Sequence, residues 1–220
     1  MKIQHIHKHY GKKAVLKDIS FSANKGRCIG ILDGNGSGKS TLLSILAGVQ
    51  KANGGDFIYD GINLFKHKKK MSDLVGYVPQ NTPLLDELSA FDNLRLWYDG
   101  KELRNQLDFG VLKKLGIPSF LNVAVCKMSG GMKKRLAIGC AVAHNPEVLL
   151  LDEPSAALDL ICKESISNYL LDFKSKNGTI ILATHDVQEL NICDELYILK
   201  GGILTPYIFD GDIHKLISRL

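Results

Sequence analysis

Cys28-Ile29-Gly30-Ile31-Leu32-Asp33-Gly34-Asn35-Gly36-Ser37-Gly38-Lys39-Ser40-Thr41 sets a short apolar run against a glycine-rich turn, a lysine and two hydroxyls. Cys28–Leu32 reads as a buried strand, and Ser40–Ala47, ended by Gly48, as a helix. Glycines let the backbone curl until several N–H groups converge on one point, which is what a phosphate chain requires. The positive end of the following helix faces the same point. Gly34, Asn35, Gly36, Ser37, Gly38, Lys39, Ser40 and Thr41 are therefore the candidate nucleotide contacts, with Lys39 reaching the β- and γ-phosphates and Ser40 holding Mg²⁺. Asp33 departs from the pattern, which has glycine five residues before Gly38. A carboxylate repels a triphosphate, and aspartate tolerates left-handed backbone, so Asp33 is expected to turn away from the phosphates.

Working outward, short apolar segments alternate with amphipathic ones: an α/β fold with a largely parallel sheet. Further predicted strands are Phe57–Tyr59, Leu74–Val78, Val148–Asp152, Thr179–Ala183 and Leu196–Lys200. Asp18–Ala23 alternates like an antiparallel strand, which Ile3–His9 could join. Between Asp86 and Gly139 the strand signal disappears. Ser89–Tyr98, Leu103–Leu115 and Gly131–Ala143 have helical periodicity, interrupted by Gly100, Gly116 and Pro118. No linker separates this stretch, so one domain is expected: residues 1–85 and 140–220 as the nucleotide-binding core, and 86–139 as an inserted helical subdomain.

Val148-Leu149-Leu150-Leu151-Asp152-Glu153 delivers two carboxylates at the end of a buried strand. Asp152 there suits Mg²⁺, and Glu153 could polarise a water against a γ-phosphate. Met128-Ser129-Gly130-Gly131-Met132, followed by Lys133-Lys134-Arg135, lies between the two elements.

In order and spacing these motifs resemble the ABC-type ATPases over essentially the whole chain. The resemblance implies a RecA-like P-loop NTPase core with an antiparallel β subdomain, an inserted helical subdomain, and ATP and Mg²⁺ as ligands. It implies Tyr10 as the aromatic stacked on adenine and Gln80 as the Q-loop glutamine that approaches Mg²⁺. His185 would be the switch histidine at the γ-phosphate, and Ser155–Asp159 the D-loop. Glu153, His185 and Gln80 are the implied catalytic set; Ser129, Gly130 and Gly131 would grip the ATP of a second subunit in a head-to-tail homo- or heterodimer. A separate integral membrane permease is the implied partner, and the inner face of the cell membrane the implied place. Met128 and Met132 depart from the commoner Leu-Ser-Gly-Gly-Gln, and the Ser-Gly-Gly-Met form with Lys/Arg and leucine after it resembles a subgroup serving exporters. Two other readings stand beside this one: a soluble ABC ATPase acting on nucleic acid or a cytosolic assembly, and an ATP-gated structural subunit that does not hydrolyse.

Composition narrows the field. The chain has 220 residues, enough for a sizeable core. Its longest apolar stretch, Leu136–Ala143, is far short of the about 20 residues a spanning helix needs, and the start lacks a signal-peptide core. A soluble, cytoplasmic protein is expected. The net charge of +5 is spread, with clusters at Lys66–Lys70 and Lys133–Arg135 read as solvated faces, so nucleic acid is not an expected partner. Five cysteines without a CxxC pair read as free buried thiols. His5, His7 and His9 would share a strand face, read as a solvent-facing stripe. Trp97 and Tyr98 are either core or the floor of a groove for a permease helix, formed by Gln80–Leu88 and Phe91–Tyr98.

Overall fold

The computed structural model describes residues 1–33, 36–156 and 158–220. β1 (Lys2–Tyr10) and β2 (Lys13–Ser22) form a hairpin, and β3 (Cys28–Leu32) leads through the glycine-rich turn into α1 (Lys39–Leu46). β4 (Gly54–Tyr59) and β5 (Ile62–Asn63) follow, joined by Asp60-Gly61 with φ of 46° and 78°. Positive φ at both central residues is the two-residue hairpin geometry that Asp-Gly favours. α2 (Lys68–Leu74) and β6 (Val75–Val78) precede α3 (Ala90–Arg95), α4 (Gly100–Asp108), α5 (Val111–Lys114) and α6 (Gly130–Ala141). The chain ends with β7 (Val148–Asp152), α7 (Leu160–Ser175), β8 (Thr179–Ala183), α8 (Val187–Leu190), β9 (Glu195–Lys200), β10 (Ile203–Tyr207) and α9 (Ile213–Arg219).

Two sheets result, ordered β2-β1-β4-β5 and β10-β9-β3-β8-β7-β6. In the second, β9, β3, β8, β7 and β6 are parallel neighbours and β10 is an antiparallel edge. Side chains alternate across it. Ile29, Ile31, Val148, Leu150, Ile181 and Ala183 pack with α1 and the first sheet. Cys28, Leu149, Leu151, Ile180 and Leu182 pack on the other face with α3, α6 and α7. Burial on both faces explains why these strands read as unbroken apolar runs.

The structure corrects several expectations. Phe57–Tyr59 lies in the antiparallel sheet, because β4 pairs with β1 and then turns back at Asp60-Gly61. β10 went unread: Pro206 sits within it, tolerable only because the strand is an edge. The break expected at Gly100 lies just before it: α3 ends at Arg95, and Gly100 begins α4, because the Asp99 carboxylate caps that helix by accepting from the Lys101 and Glu102 amides at 3.0 and 2.8 Å. The Leu103–Leu115 segment divides at Gly110, where the Gln106 side chain accepts from the Val111 amide at 2.8 Å. Tyr98 is core, its hydroxyl donating to the Gly139 carbonyl at 2.7 Å, whereas Trp97 is 62% exposed. Cys28, Cys140 and Cys162 are buried, but Cys126 is exposed, because Val125 takes the inward position in that turn. His5 and His9 are exposed, and His5 has an acidic partner the sequence did not show, Asp18 at 3.0 Å.

Candidate functional site

Parallel register aligns the C-terminal ends of four strands. Val78 pairs with Leu151, Asp152 with Ala183, and Ala183 with Ile31. The Glu153 amide donates to the Ala183 carbonyl at 2.9 Å, and the Thr184 amide to the Ile31 carbonyl at 3.1 Å. The residues just past these strands are therefore neighbours: Gln80, Glu153, Thr184-His185 and the phosphate-loop turn. This carboxyl edge is where ligands bind in open parallel sheets.

On the loop side, Gly36 and Gly38 have φ of 86° and 114°, values that favour glycine. A Cβ on Gly38 would also meet Val15 and Leu16 side-chain carbons at 3.0 and 3.1 Å. Lys39 and Ser40 open α1, with Thr41 half-buried behind them. Gly34 and Asn35 lie outside the described residues. Asp33 does not turn away. Its buried carboxylate pairs with the Lys39 ammonium and accepts from the Ser37 hydroxyl. A buried ammonium needs a counter-charge, and Asp33 is the carboxylate its own loop supplies. Burial draws the Lys39 ammonium below its usual range, opposed by Glu153 and then Asp152.

Asp152 is 2% exposed at the end of β7. Burial pushes its carboxyl up, while a hydrogen bond from Ser40 pulls it down. A desolvated carboxylate beside a hydroxyl is a hard oxygen donor pair, the type Mg²⁺ takes, so these residues fit that ion. Glu153 follows with φ of 48°, an uncommon conformation for a side-chain-bearing residue. Its carboxylate, 12% exposed, accepts from the Gln80 amide at 3.1 Å and lies 3.3 Å from His185 Nδ1. The structure thus brings Gln80, Glu153 and His185 into one cluster.

Tyr10 ends β1, 47% exposed, with its hydroxyl donating to Gln50 and the Lys8 ammonium 5.1 Å from its ring centroid. Ser129 caps α6, its hydroxyl accepting from the Met132 amide at 3.3 Å; Ser129 and Gly130 are exposed. Gly131 is buried against α7, where a Cβ would meet Cys162 Sγ at 2.5 Å. Among the described residues, a Cβ on Gly130 would meet Leu158, and one on Gly131 would meet Cys162 and Leu158. Of the D-loop segment, Ser155 donates to Asp186 at 3.3 Å and Asp159 caps α7; Ala157 lies outside the described residues.

Residues 16–156 match one family model, described as ABC transporter. The chain belongs to the ABC transporter family. A Nod factor export ATP-binding protein of Rhizobium etli is 33% identical over 220 residues, 98% of this chain and 69% of the relative. A methionine import ATP-binding protein of Clostridioides difficile is 35% identical over 228 residues, 99% and 70% of the two chains. Among solved structures, a dimeric ATP-binding cassette in a post-hydrolysis state with ADP and Pi superposes with a TM-score of 0.84 at 27% identity, covering 96% of this chain and 99% of the other. The chain has the P-loop NTPase fold of an ABC cassette, and it is an ATP-binding, ATP-hydrolysing subunit of the transporter type. Among the described residues no helix is long and apolar enough to cross a membrane.

Sequence reasoning missed one member of this neighbourhood. Lys134, read as part of a solvated basic cluster, is 7% exposed. The signal was available: Gly131, Lys134 and Ile138 recur at helical spacing and are all buried on α6.

Proposed function

We propose that this ABC ATPase powers a separate membrane exporter from the inner face of the membrane, as one of two cassettes closing head to tail on ATP. The observation that supports this best is the cluster of Gln80, Glu153 and His185 at the strand ends beside Lys39 and Asp152. In this reading Tyr10 stacks on adenine, and the loop from Gly34 to Thr41 surrounds the phosphates. Lys39 neutralises the β- and γ-oxygens. Ser40, Asp152 and Gln80 hold Mg²⁺, which would spread the developing charge of phosphoryl transfer. Glu153 orients the attacking water and takes its proton, while His185 steadies both Glu153 and the γ-phosphate. Ser129, Gly130 and Gly131 would reach the partner subunit's ATP, in keeping with an exposed serine cap at the start of a twelve-residue helix. Residues 86–139 would act as the helical unit that carries the motion to the permease.

Direction rests on the signature. Relatives named for export and for import are about equally similar to this chain, whereas Ser129–Leu136 carries the form that resembles exporters. The test uses Glu153→Gln, which keeps the shape but loses the basic oxygen. Turnover should fall by roughly 10²–10⁴-fold while ATP still binds. The isolated subunit should also pass from monomer to dimer with Mg-ATP in sizing chromatography, and Ser129→Arg should block that shift. Wild-type turnover in Glu153→Gln would refute the catalytic assignment.

A further inference from the structure

Among the described residues two lysines are buried, Lys39 and Lys134. Lys39 has its role in the phosphate loop; Lys134 has no part in the proposed phosphate contacts. It stands one turn into α6, the helix that Ser129 caps. Its ammonium donates to the Pro79 carbonyl at 3.2 Å and to the Gln80 carbonyl at 3.1 Å. Burial draws it below the usual lysine range, and Asp152, Glu153 and Glu189, in that order, push back. Burying an ammonium is unfavourable unless it is paired and hydrogen-bonded, and an apolar side chain of similar volume could fill the same space without that penalty. A helix-to-loop contact alone therefore does not account for a lysine here.

What the ammonium holds is informative. Gln80 is anchored through its backbone carbonyl by Lys134, and through its side chain it donates to Glu153 at 3.1 Å. The path runs from the signature helix, across one lysine, to the carboxylate placed at the attacking water. We infer that Lys134 is a positioning residue for hydrolysis: it fixes the Pro79-Gln80 backbone so that the Gln80 amide can hold Glu153, and ties that geometry to the seat of the signature helix. A subunit whose signature engages the partner's ATP would in this way set its own Gln80 and Glu153. The inference rests on the proposed roles of Glu153 and Gln80.

The experiment compares Lys134→Gln and Lys134→Arg with the wild-type subunit in steady-state ATPase assays, alongside Mg-ATP binding and thermal unfolding. Lys134→Gln keeps one donor and loses the charge. Its kcat should fall by ~10²-fold, the scale of a small misplacement at a reacting centre, with KM within about threefold of wild type. Lys134→Arg, with charge and several donors, should recover kcat to within about tenfold. In a Gln80→Ala background, Lys134→Gln should cost little more, because it acts through Gln80. Wild-type kcat in Lys134→Gln, or fully multiplicative losses in the double variant, would overturn the inference. Should Lys134→Gln not fold, Lys134→Arg decides: retained turnover supports it, and collapse with ATP binding intact overturns it. Glu153→Gln keeps the two levels apart: if it is inactive while Lys134→Gln is not, only the role of Lys134 falls.

Discussion

Asp33 is the point at which a single charge should govern nucleotide affinity. Its carboxylate and the Lys39 ammonium are 1% and 7% exposed as side chains, so water screens the pair little. Before Lys39 can serve a triphosphate it must leave Asp33, and Asp33 then remains beside the phosphates as a like charge. Two unit charges about 4 Å apart interact by ~4 kcal/mol at an effective dielectric of 20. If only a third of that survives relaxation of the loop, the penalty on binding is still about 1.4 kcal/mol, or tenfold in Kd. Asp33→Asn is the informative change, because it discharges the group while keeping its shape and its capacity to accept from Ser37. Titration calorimetry with Mg-ATP should show the variant binding at least tenfold more tightly. Without nucleotide it should unfold more easily, by up to the 3–5 kcal/mol typical when one partner of a buried ion pair is removed. A variant with unchanged or weaker ATP affinity would refute the reasoning and restore the sequence-based expectation that Asp33 faces away.

Gly131→Ala should destabilise the fold by roughly 1–3 kcal/mol, since its Cβ would meet Cys162 Sγ at 2.5 Å; Cys162→Ala in the same chain should restore most of that in chemical denaturation, and simple additivity would count against the contact. Glu189 is 3% exposed, and burial raises its carboxyl above the ordinary value of 4.5, opposed by hydrogen bonding from Thr184 and Ser155. The folded state then holds more protons than the unfolded one above that value, so stability declines as pH rises through the window. Glu189→Gln should match wild type at low pH and exceed it above the window, diverging by about 1.4 kcal/mol per pH unit within it; parallel stability curves would contradict this. Trp97→Glu or Leu85→Glu, at positions 62% and 51% exposed, should abolish co-purification with the proposed permease while leaving ATP binding intact; retention of both would show that these residues do not form its docking surface.

Much of this protein is written in its local sequence. A glycine run followed by lysine and a hydroxyl, and an apolar strand ending in Asp152-Glu153, carry their meaning because phosphate and magnesium chemistry dictate residue types at short spacing. The unbroken apolar strands Val148–Asp152 and Thr179–Ala183 likewise announce a sheet covered on both faces, as the two cores show. The caps were not legible in this way: Asp159 begins α7, a sixteen-residue helix with no counterpart among the expected elements, because a side-chain oxygen there satisfies a free amide. Three things depended on the tertiary structure. The partner of a buried charge is chosen by which groups share a desolvated space, so the Asp33–Lys39 pair was invisible and even read the wrong way. Which member of a basic run is buried depends on the helix face that meets the core, so Lys134 was lost among its exposed-seeming neighbours. And the meeting of Gln80, Glu153 and His185, distant in the chain, follows from the parallel register that aligns β6, β7 and β8, a relation that arises only when the strands pair.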